Sequence, residues 1–493
     1  RTMVRDSGGK KLSLVAEVWN CESRKYAMTA DAQQVRCVWM MSKEKRVLLW
    51  KELQPQLQLH YLGLGGQKNG VKCPVEDEEL AILCPKGSLH QLQQLCLHAA
   101  DRVTDSGLSA LASAGCGAQL TSLTLAWLRE GVTDTGLSAL ASAGCGTLLT
   151  SLTLEGLGDD VTDSGLSALS SAGCGAKLTH LTLDNLSVAV TDRGLSALAS
   201  TGCGSQLTYL TIKCLGQEVT DCGLRALASA GCGEQLTHLT LSRLQRVTDS
   251  ALNAFASAGC GSQLKFLTLR NLEERVTDRG LSALASAGCG AQLTYLNLSN
   301  LEKGVTDRGL SALGSAGCGT HLTSLTLRGM GGVTDCGLRA LASAGCGSQL
   351  ISLSLCHLRD GVTDCGLSAL ASAGCGAQLT SLTLDGLQDG VTDAGLSALA
   401  LAGCGVQLHS LTLCGLNVTD AGLSALASAG CGAHLTSLNL TGLDSHVTDS
   451  GLSSLASAGC GSRLTSLTLS YLKDGVTDSG FRALASAGCG AQL

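Results

Sequence analysis

Residues 103–131 read VTDSGLSALASAGCGAQLTSLTLAWLREG, and this stretch decides the fold because most of the remaining chain repeats it. A truncated copy begins at Val476, and full copies of 27–29 residues begin at Val132, Val161, Val190, Val219, Val247, Val276, Val305, Val333, Val362, Val391, Val418 and Val447. A repeat of this length is typical of a solenoid, in which each unit buries its apolar side chains only against its neighbours. We therefore expect the 493 residues to form mainly one extended array.

Each repeat contains the signals of one helix followed by one strand. Thr104 can cap the free amides at a helix start, and Asp105 in the first turn suits the positive end of the helix dipole. Leucines at helical spacing, beginning with Leu108, predict an inward face, and the glycines of residues 115–117 predict the helix end. The alternation at residues 123–125 predicts a short strand with its leucines inward.

These elements predict an α/β fold. Parallel strands stack about 4.8 Å apart whereas packed helices need about 8–10 Å, so an array of strand–helix repeats has to curve with its strands on the inside. We expect a right-handed solenoid in the shape of a horseshoe, with parallel strands on the concave face and helices on the convex face. The array is predicted over residues 103–493, as thirteen full units and a truncated one.

The first 102 residues follow the repeat less closely. Apolar and charged residues at helix-like spacing over residues 10–20 and 35–53 predict a helical N-terminal cap over residues 1–56, which would cover the apolar end of the solenoid. Degenerate repeats are predicted over residues 57–102, with a strand at 57–62, a shortened helix at 80–84 and a second strand at 92–97.

The repeat resembles the cysteine-containing class of leucine-rich repeats. Its pattern is Cys-Gly-x-x-Leu-x-x-Leu-x-Leu-x-x-Leu followed by Val-Thr-Asp-x-Gly-Leu-x-x-Leu-Ala, matched at Cys116, Leu120, Leu123, Leu125, Val132, Thr133, Asp134, Gly136, Leu137, Leu140 and Ala141. The resemblance covers about four fifths of the chain. It departs from the family where the second cysteine is usually leucine here, as at Leu128.

In that family the repeats commonly form the substrate-recognition arm of an SCF-type ubiquitin ligase, with an F-box before the array. The resemblance therefore implies an adaptor subunit of such a ligase as one partner. Residues 12–53 are similar to the end of an F-box at 35–39 and 48–50, but the usual opening Leu-Pro is absent. A plain helical cap is the preferred interpretation of this segment.

Composition narrows the function classes. The net charge of −6 does not predict a nucleic-acid or membrane partner, and the chain has no run of 18 apolar residues that predicts a membrane span. Fourteen of the 25 cysteines occupy one slot of the repeat, from Cys116 to Cys489, which is typical of a small buried apolar residue. We expect reduced thiols and a cytoplasmic location, with the nucleus as the alternative.

The outward face of the strands carries the strongest functional signal. The slot of Ser122 holds an aromatic ring or an imidazole in five successive repeats, although the chain has only three Phe and five Tyr. Side chains of this kind with charges beside them are typical of an interface hot spot. We predict that a protein partner binds His180, Asp184, Tyr209, Lys213, His238, Phe266, Arg270 and Tyr295. The alternative is drift, in which large side chains are tolerated on an open surface.

No motif in the chain predicts catalysis, a metal or a cofactor. Helix capping explains the aspartate column from Asp105 to Asp478. The chain has no phosphate-binding glycine loop, nucleophile elbow or His-Glu-x-x-His sequence. The short paired spacing of zinc ligands is lacking at Cys84, His90, Cys96 and His98. We predict a non-enzymatic protein-interaction scaffold, with a ligase substrate-recognition subunit and a purely structural spacer as alternatives.

Overall fold

The computed structural model describes residues 3–5, 11–13, 34–36, 60–65, 67–68, 71–72, 75–129, 131–186, 188–358, 361–388, 390–443, 447–460, 462–472 and 475–488. The chain divides into two compact units, residues 1–235 and 236–493. The boundary falls inside the repeat array, after one helix and before the strand that follows it.

The first unit contains a parallel sheet whose strands are connected by helices. Its strands are β1 (Met3–Arg5), β2 (Lys11–Ser13), β3 (Gln34–Arg36), β4 (Tyr61–Gly65), β5 (Gln67–Lys68), β6 (Val71–Lys72), β7 (Gln94–His98), β8 (Ser122–Arg129), β9 (Ser151–Leu157), β10 (His180–Asp184) and β11 (Tyr209–Lys213). Its helices are α1 (Asp77–Leu83), α2 (Asp105–Ser113), α3 (Asp134–Ser142), α4 (Asp163–Ser171), α5 (Asp192–Ser200) and α6 (Asp221–Leu227), the last followed by a π-helical turn. The parallel sheet has the order β3, β4, β7, β8, β9, β10, β11, and two antiparallel pairs, β1 with β2 and β5 with β6, lie outside it.

The second unit consists of strand–helix repeats. Its strands are β12 (His238–Ser242), β13 (Phe266–Arg270), β14 (Tyr295–Ser299), β15 (Ser324–Arg328), β16 (Ser352–Cys356), β17 (Ser381–Gln388), β18 (Ser410–Leu416), β19 (Ser437–Thr441) and β20 (Ser466–Ser470). Its helices are α7 (Asp249–Ser257), α8 (Asp278–Ser286), α9 (Asp307–Ser315), α10 (Asp335–Ser343), α11 (Asp364–Ser372), α12 (Asp393–Leu401), α13 (Asp420–Ser428), α14 (Asp449–Ser457) and α15 (Asp478–Ser486). Consecutive strands pair in parallel from β12 to β20.

Burial follows the faces that the sequence predicts. In α9 the leucines Leu310 and Leu313 are fully buried, and in β14 Leu296 and Leu298 are buried while the alternate side chains point outwards. The repeated cysteine is buried beside them as a free thiol, and burial raises the pKa of Cys260, for example, to about 12. The thiol is therefore protonated at neutral pH and packs as a small apolar group. The predicted α/β solenoid of strand–helix repeats is confirmed in each unit.

The N-terminal predictions meet the structure only in part. The degenerate repeats have their helix at α1 and their strands at β4 and β7, within a few residues of the predicted positions. Within residues 1–56 the described residues form the three short strands β1, β2 and β3. The prediction of helix is therefore wrong where residues 10–20 and 35–53 overlap β2 and β3. The remainder of the predicted helical cap and most of the F-box resemblance lie outside the described residues and stay predictions.

Within each unit, one hydrogen-bonded contact connects a repeat to the next, and we call it the aspartate staple. Asp307 Oδ1 accepts from the backbone N–H of Thr334 at 2.7 Å and of Gly337 at 2.9 Å, and its Oδ2 accepts from Thr334 Oγ1 at 2.7 Å. Thr334 Oγ1 in turn accepts from the backbone N–H of Cys336 at 3.1 Å, as a helix N-cap. The same carboxylate contact joins Asp105 to Thr133 in the first unit.

The aspartate staple corrects one interpretation drawn from the sequence. The aspartate was expected to act on its own helix, but its carboxylate also closes the N-terminus of the next helix, about one repeat along the chain. A glycine makes this approach possible, because a Cβ on Gly337 would lie 2.6 Å from Asp307 Oδ1. The spacing of Thr, Asp and Gly that recurs from repeat to repeat therefore reflects an interaction between neighbouring repeats.

We expect Asp307→Ala to lower the free energy of unfolding by about 1–2 kcal/mol, because it removes the acceptor for three donors at a helix start. Asp307→Asn keeps one carbonyl acceptor for the two backbone amides and should cost less. Urea denaturation measures both changes. Arg308→Ala, at the exposed neighbouring position, is the matched control and should leave the midpoint unchanged; an equal loss in the control would contradict this account.

The last staple predicts a pH dependence. Hydrogen bonds from Thr477 lower the pKa of Asp449 below its ordinary value. Because the folded pKa is the lower one, the stabilisation is complete above the unfolded pKa of about 3.9 and is lost as the pH falls through the folded pKa. Hydrogen exchange at Thr477 and Gly480 should be slower in the wild type than in Asp449→Asn at neutral pH. The two proteins should converge as the pH falls through the folded pKa, and a difference that does not shrink on acidification would refute the assignment.

Candidate functional site

In the first unit, the predicted site residues form two cross-strand contacts on the outward face of the sheet. His180 and Tyr209 are direct partners on β10 and β11, and their rings stack with centroids 5.7 Å apart and planes inclined by 21°. Four residues further along the same strands, Lys213 Nζ lies 3.6 Å from Asp184 Oδ2. We call His180 and Tyr209 the ring pair. The positive charge beside it is matched by a carboxylate of this chain.

In the second unit, His238, Phe266 and Tyr295 occupy the equivalent position on β12, β13 and β14, and we call them the ring triplet. The His238 and Phe266 rings lie 4.1 Å apart at an angle of 10°, and the Phe266 and Tyr295 rings 5.8 Å apart at 28°. Stacking covers the ring faces and turns the ring edges outwards. Phe266 still exposes 38% of its surface. The triplet is thus an ordered and accessible aromatic surface.

Neighbouring polar groups hold these rings in place. The Nδ1 atom of His180 lies 2.8 Å from Thr179 Oγ1, and that of His238 lies 2.8 Å from Thr237 Oγ1. On β14, Asn297 Nδ2 donates to the Tyr295 hydroxyl at 3.4 Å. Fixed rings lose little conformational entropy when a partner binds, which is the property expected of an interface anchor.

Arg270 lies on β13, four residues after Phe266, and its side chain is exposed. Its strand partner on β14 is Ser299, whose own partner on β15 is Arg328. Arg328 is also exposed and was not among the predicted site residues. The structure thus brings together four predicted residues in each unit. The continuity of the row between Tyr209 and His238 stays a prediction.

Sequence reasoning missed a column of left-handed residues directly after the strands. Glycine or asparagine occupies it in most repeats, as at Asn300 and Gly386, where φ is 52° and 62°. Large side chains replace them at Trp127, Arg243, His357 and Tyr471, with φ between 49° and 55°. Such residues are strained in this conformation. The alternation of Gly or Asn with a large residue in one column was the available signal.

Two of these strained residues contact a carboxylate on the neighbouring strand. Trp127 Nε1 donates to Glu155 Oε1 at 3.1 Å, and His357 Nε2 lies 3.2 Å from Asp385 Oδ2. Within the described part of the chain, no group of three or more His, Cys, Asp or Glu side chains is placed to hold a metal ion.

The periodic strands, helices and buried leucines decide the fold of each unit. Both units are leucine-rich-repeat solenoids. No protein-family model matches the chain, and no curated protein matches it either.

The solved structures that are similar to the chain include two with low sequence identity. The crystal structure of the Rad7 and Elc1 complex in yeast matches with 20% sequence identity and a TM-score of 0.48, over 77% of this chain and 85% of that one. The crystal structure of an internalin from Listeria monocytogenes matches with 20% identity and a TM-score of 0.42, over 85% and 93%. Likenesses of this degree say nothing about what the chain binds. Among the described helices, none has the length and apolar character needed to cross a bilayer.

We expect Tyr471→Gly to raise the free energy of unfolding by about 0.5–1 kcal/mol. Relief of the left-handed strain, about 1–2 kcal/mol, exceeds the roughly 0.4–1 kcal/mol that the greater unfolded freedom of glycine costs. Few contacts are lost because Tyr471 is 82% exposed. The reverse change, Gly442→Tyr in the preceding repeat, has the space for a side chain and should lower stability. Chemical denaturation compares the two; stabilisation by both substitutions would contradict the strain argument.

Proposed function

We propose that the chain is a protein-binding scaffold that captures a partner through rings on the outward faces of its strands, the ring pair in the first unit and the ring triplet in the second. The observation that carries the proposal is the ring triplet itself. Phe266 is stacked between His238 and Tyr295 and yet remains partly exposed, on a face where serine fills the same slot in most other repeats. Rigid aromatic side chains on a surface of small polar residues are the usual anchors of protein interfaces.

A purely structural role makes a different demand on the same residues. Cross-strand ring pairs stabilise sheets, so rings that served only the fold would reduce stability when removed and would leave binding unchanged. Repeats with serine at this slot, such as that of Ser352, nevertheless pair their strands in the same register. This supports a role for the rings outside the fold.

The narrower role as a ligase substrate-recognition subunit rests on the resemblance of the repeats and of residues 12–53. A protein-capturing face is compatible with that role and also with one that involves no ligase. We therefore propose capture of a protein by the outward strand faces, without assigning a ligase role.

The partner can be found by photo-crosslinking. A benzoylphenylalanine in place of Thr268 lies between Phe266 and Arg270 on β13, whereas the same probe in place of Arg279 lies on the first turn of α8. Proteins crosslinked only from Thr268 are candidate partners bound at the face.

Replacing Tyr209, Phe266 and Tyr295 together with serine should weaken capture of that partner by at least about 30-fold, since anchor residues typically contribute about 2 kcal/mol or more. Circular dichroism should show an almost unchanged melting temperature. Leu401→Ser is the matched control, because it removes a large apolar side chain that is 91% exposed on a helix. Undiminished capture by the triple variant, with a lowered melting temperature, would assign the rings to stability and overturn the proposal.

A further inference from the structure

The ring triplet lies on a part of the face that carries positive charge and no negative charge. Across β12, β13, β14 and β15 the outward side chains include Arg270 and Arg328 but no Asp or Glu. Lys265, directly before Phe266, is exposed as well. The acidic residues of these repeats lie off the strands, at the helix starts, as at Asp278, or in the connections, as at Glu273 and Glu302. The strand surface itself is therefore complementary to an acidic partner.

The two arginines differ from two other basic residues of the sheet surface. Lys213 has Asp184 as its cross-strand partner, and His357 has Asp385. Within the described residues, neither Arg270 nor Arg328 forms an ion pair. Ser299 lies between them, so two guanidinium groups face outwards from alternate strands, and no described carboxylate is paired with either.

From this arrangement we infer that the ring triplet and the two arginines bind an extended acidic segment of a partner protein. The inference rests on the proposed function and specifies the chemistry of the partner. Apolar side chains of the segment pack on the ring edges of Phe266 and Tyr295, and its carboxylates accept hydrogen bonds from Arg270 and Arg328. Guanidinium groups suit this role because their donors match a carboxylate in pairs.

The spacing of the site limits the sequence of that segment. Phe266 and Arg270 are four residues apart on one strand, which is about 13 Å. An extended segment running along the strands covers this distance in about four residues, and its side chains i and i+4 point to the same side. We therefore expect an apolar residue and an Asp or Glu four positions apart.

The small residues between the two rows leave room for such a segment. Thr268, Asn297 and Thr326 separate the rings from the arginines on three neighbouring strands. Asn297 donates its amide hydrogen to the Tyr295 oxygen, which directs the phenol's own hydrogen towards an acceptor elsewhere. The Tyr295 hydroxyl is therefore a third hydrogen-bond donor on this surface, beside the two guanidinium groups. Carboxylates are acceptors suited to each of these donors.

Selection from a random peptide library tests the inference directly. The full-length protein is immobilised and presented with displayed peptides of about 12 residues, which span roughly 40 Å when extended. Enriched peptides are synthesised, and fluorescence anisotropy measures their Kd for the wild type, Phe266→Ser/Tyr295→Ser and Arg270→Glu/Arg328→Glu. Arg270→Gln/Arg328→Gln replaces the charge-reversed variant if that variant fails to fold.

We expect the enriched peptides to carry Asp or Glu four positions from an apolar residue. Their binding should weaken about tenfold or more in the Arg270→Glu/Arg328→Glu variant and should decline with salt. Peptides with Lys in place of the acidic residues should bind that variant better than the wild type. Arg279→Glu/Arg308→Glu, which reverses two exposed charges on α8 and α9, is the matched control and should leave the Kd unchanged.

The other outcomes separate this inference from the proposed function. In one outcome the enriched peptides require the rings but are neutral, and in another they bind equally well when Arg270 and Arg328 are changed. Either result overturns the acidic segment and leaves the proposed capture of a protein by the rings in place. Acidic peptides that bind Phe266→Ser/Tyr295→Ser as tightly as the wild type overturn the inference and count against the proposed function too. Failure to enrich any peptide overturns the extended segment, and the crosslinking experiment then decides the proposed function alone.

Discussion

The contact on which each unit depends is the carboxylate of one repeat at the helix start of the next. A helix leaves its first amide groups without partners inside the helix, and their dipoles favour a negative charge nearby. Asp134 meets both needs for the following helix, because it accepts from Thr162 and Gly165 at 2.8 and 2.9 Å. Since the donors and the acceptor belong to neighbouring repeats, the hydrogen bonds that cap a helix also fix the position of that helix against its neighbour.

Because neighbouring repeats are held in fixed positions, their strands pair in a fixed register. Residues at the same slot of successive repeats therefore lie side by side on the sheet. His238, Phe266 and Tyr295 are about a repeat apart in the chain but are direct partners on adjacent strands. A ring in one repeat would be a single exposed side chain, whereas rings in successive repeats stack. The residues that recur in nearly every repeat therefore form the fold, and the few outward slots that vary between successive repeats determine the chemistry of the sheet surface.

Periodicity made much of this readable from the sequence, because each strand and helix signal recurs many times. The inward leucines and the ring slot followed from side-chain alternation alone. The partner of Asp134 did not, since capping of its own helix already accounted for the residue and nothing local indicated Thr162. The left-handed conformation of Trp127 was hidden because such a residue predicts no positive φ. Over β2, a short apolar run at helix-like spacing proved extended, a case in which periodicity separates helix from strand poorly.

Charge placement distinguishes side chains that are paired within the chain from those that we propose contact a partner. A cross-strand pair such as Lys213 with Asp184 satisfies both members within the chain. Arg270 and Arg328 do not stabilise the sheet in this way. Like charges on alternate strands repel weakly, and Ser299 between them offers no counter-charge. Serine and threonine at these two positions would build the same sheet, as they do on β19 and β20. The sheet thus forms in other repeats without rings or arginines at these positions, which supports the proposed partner that contacts both the ring triplet and the two arginines.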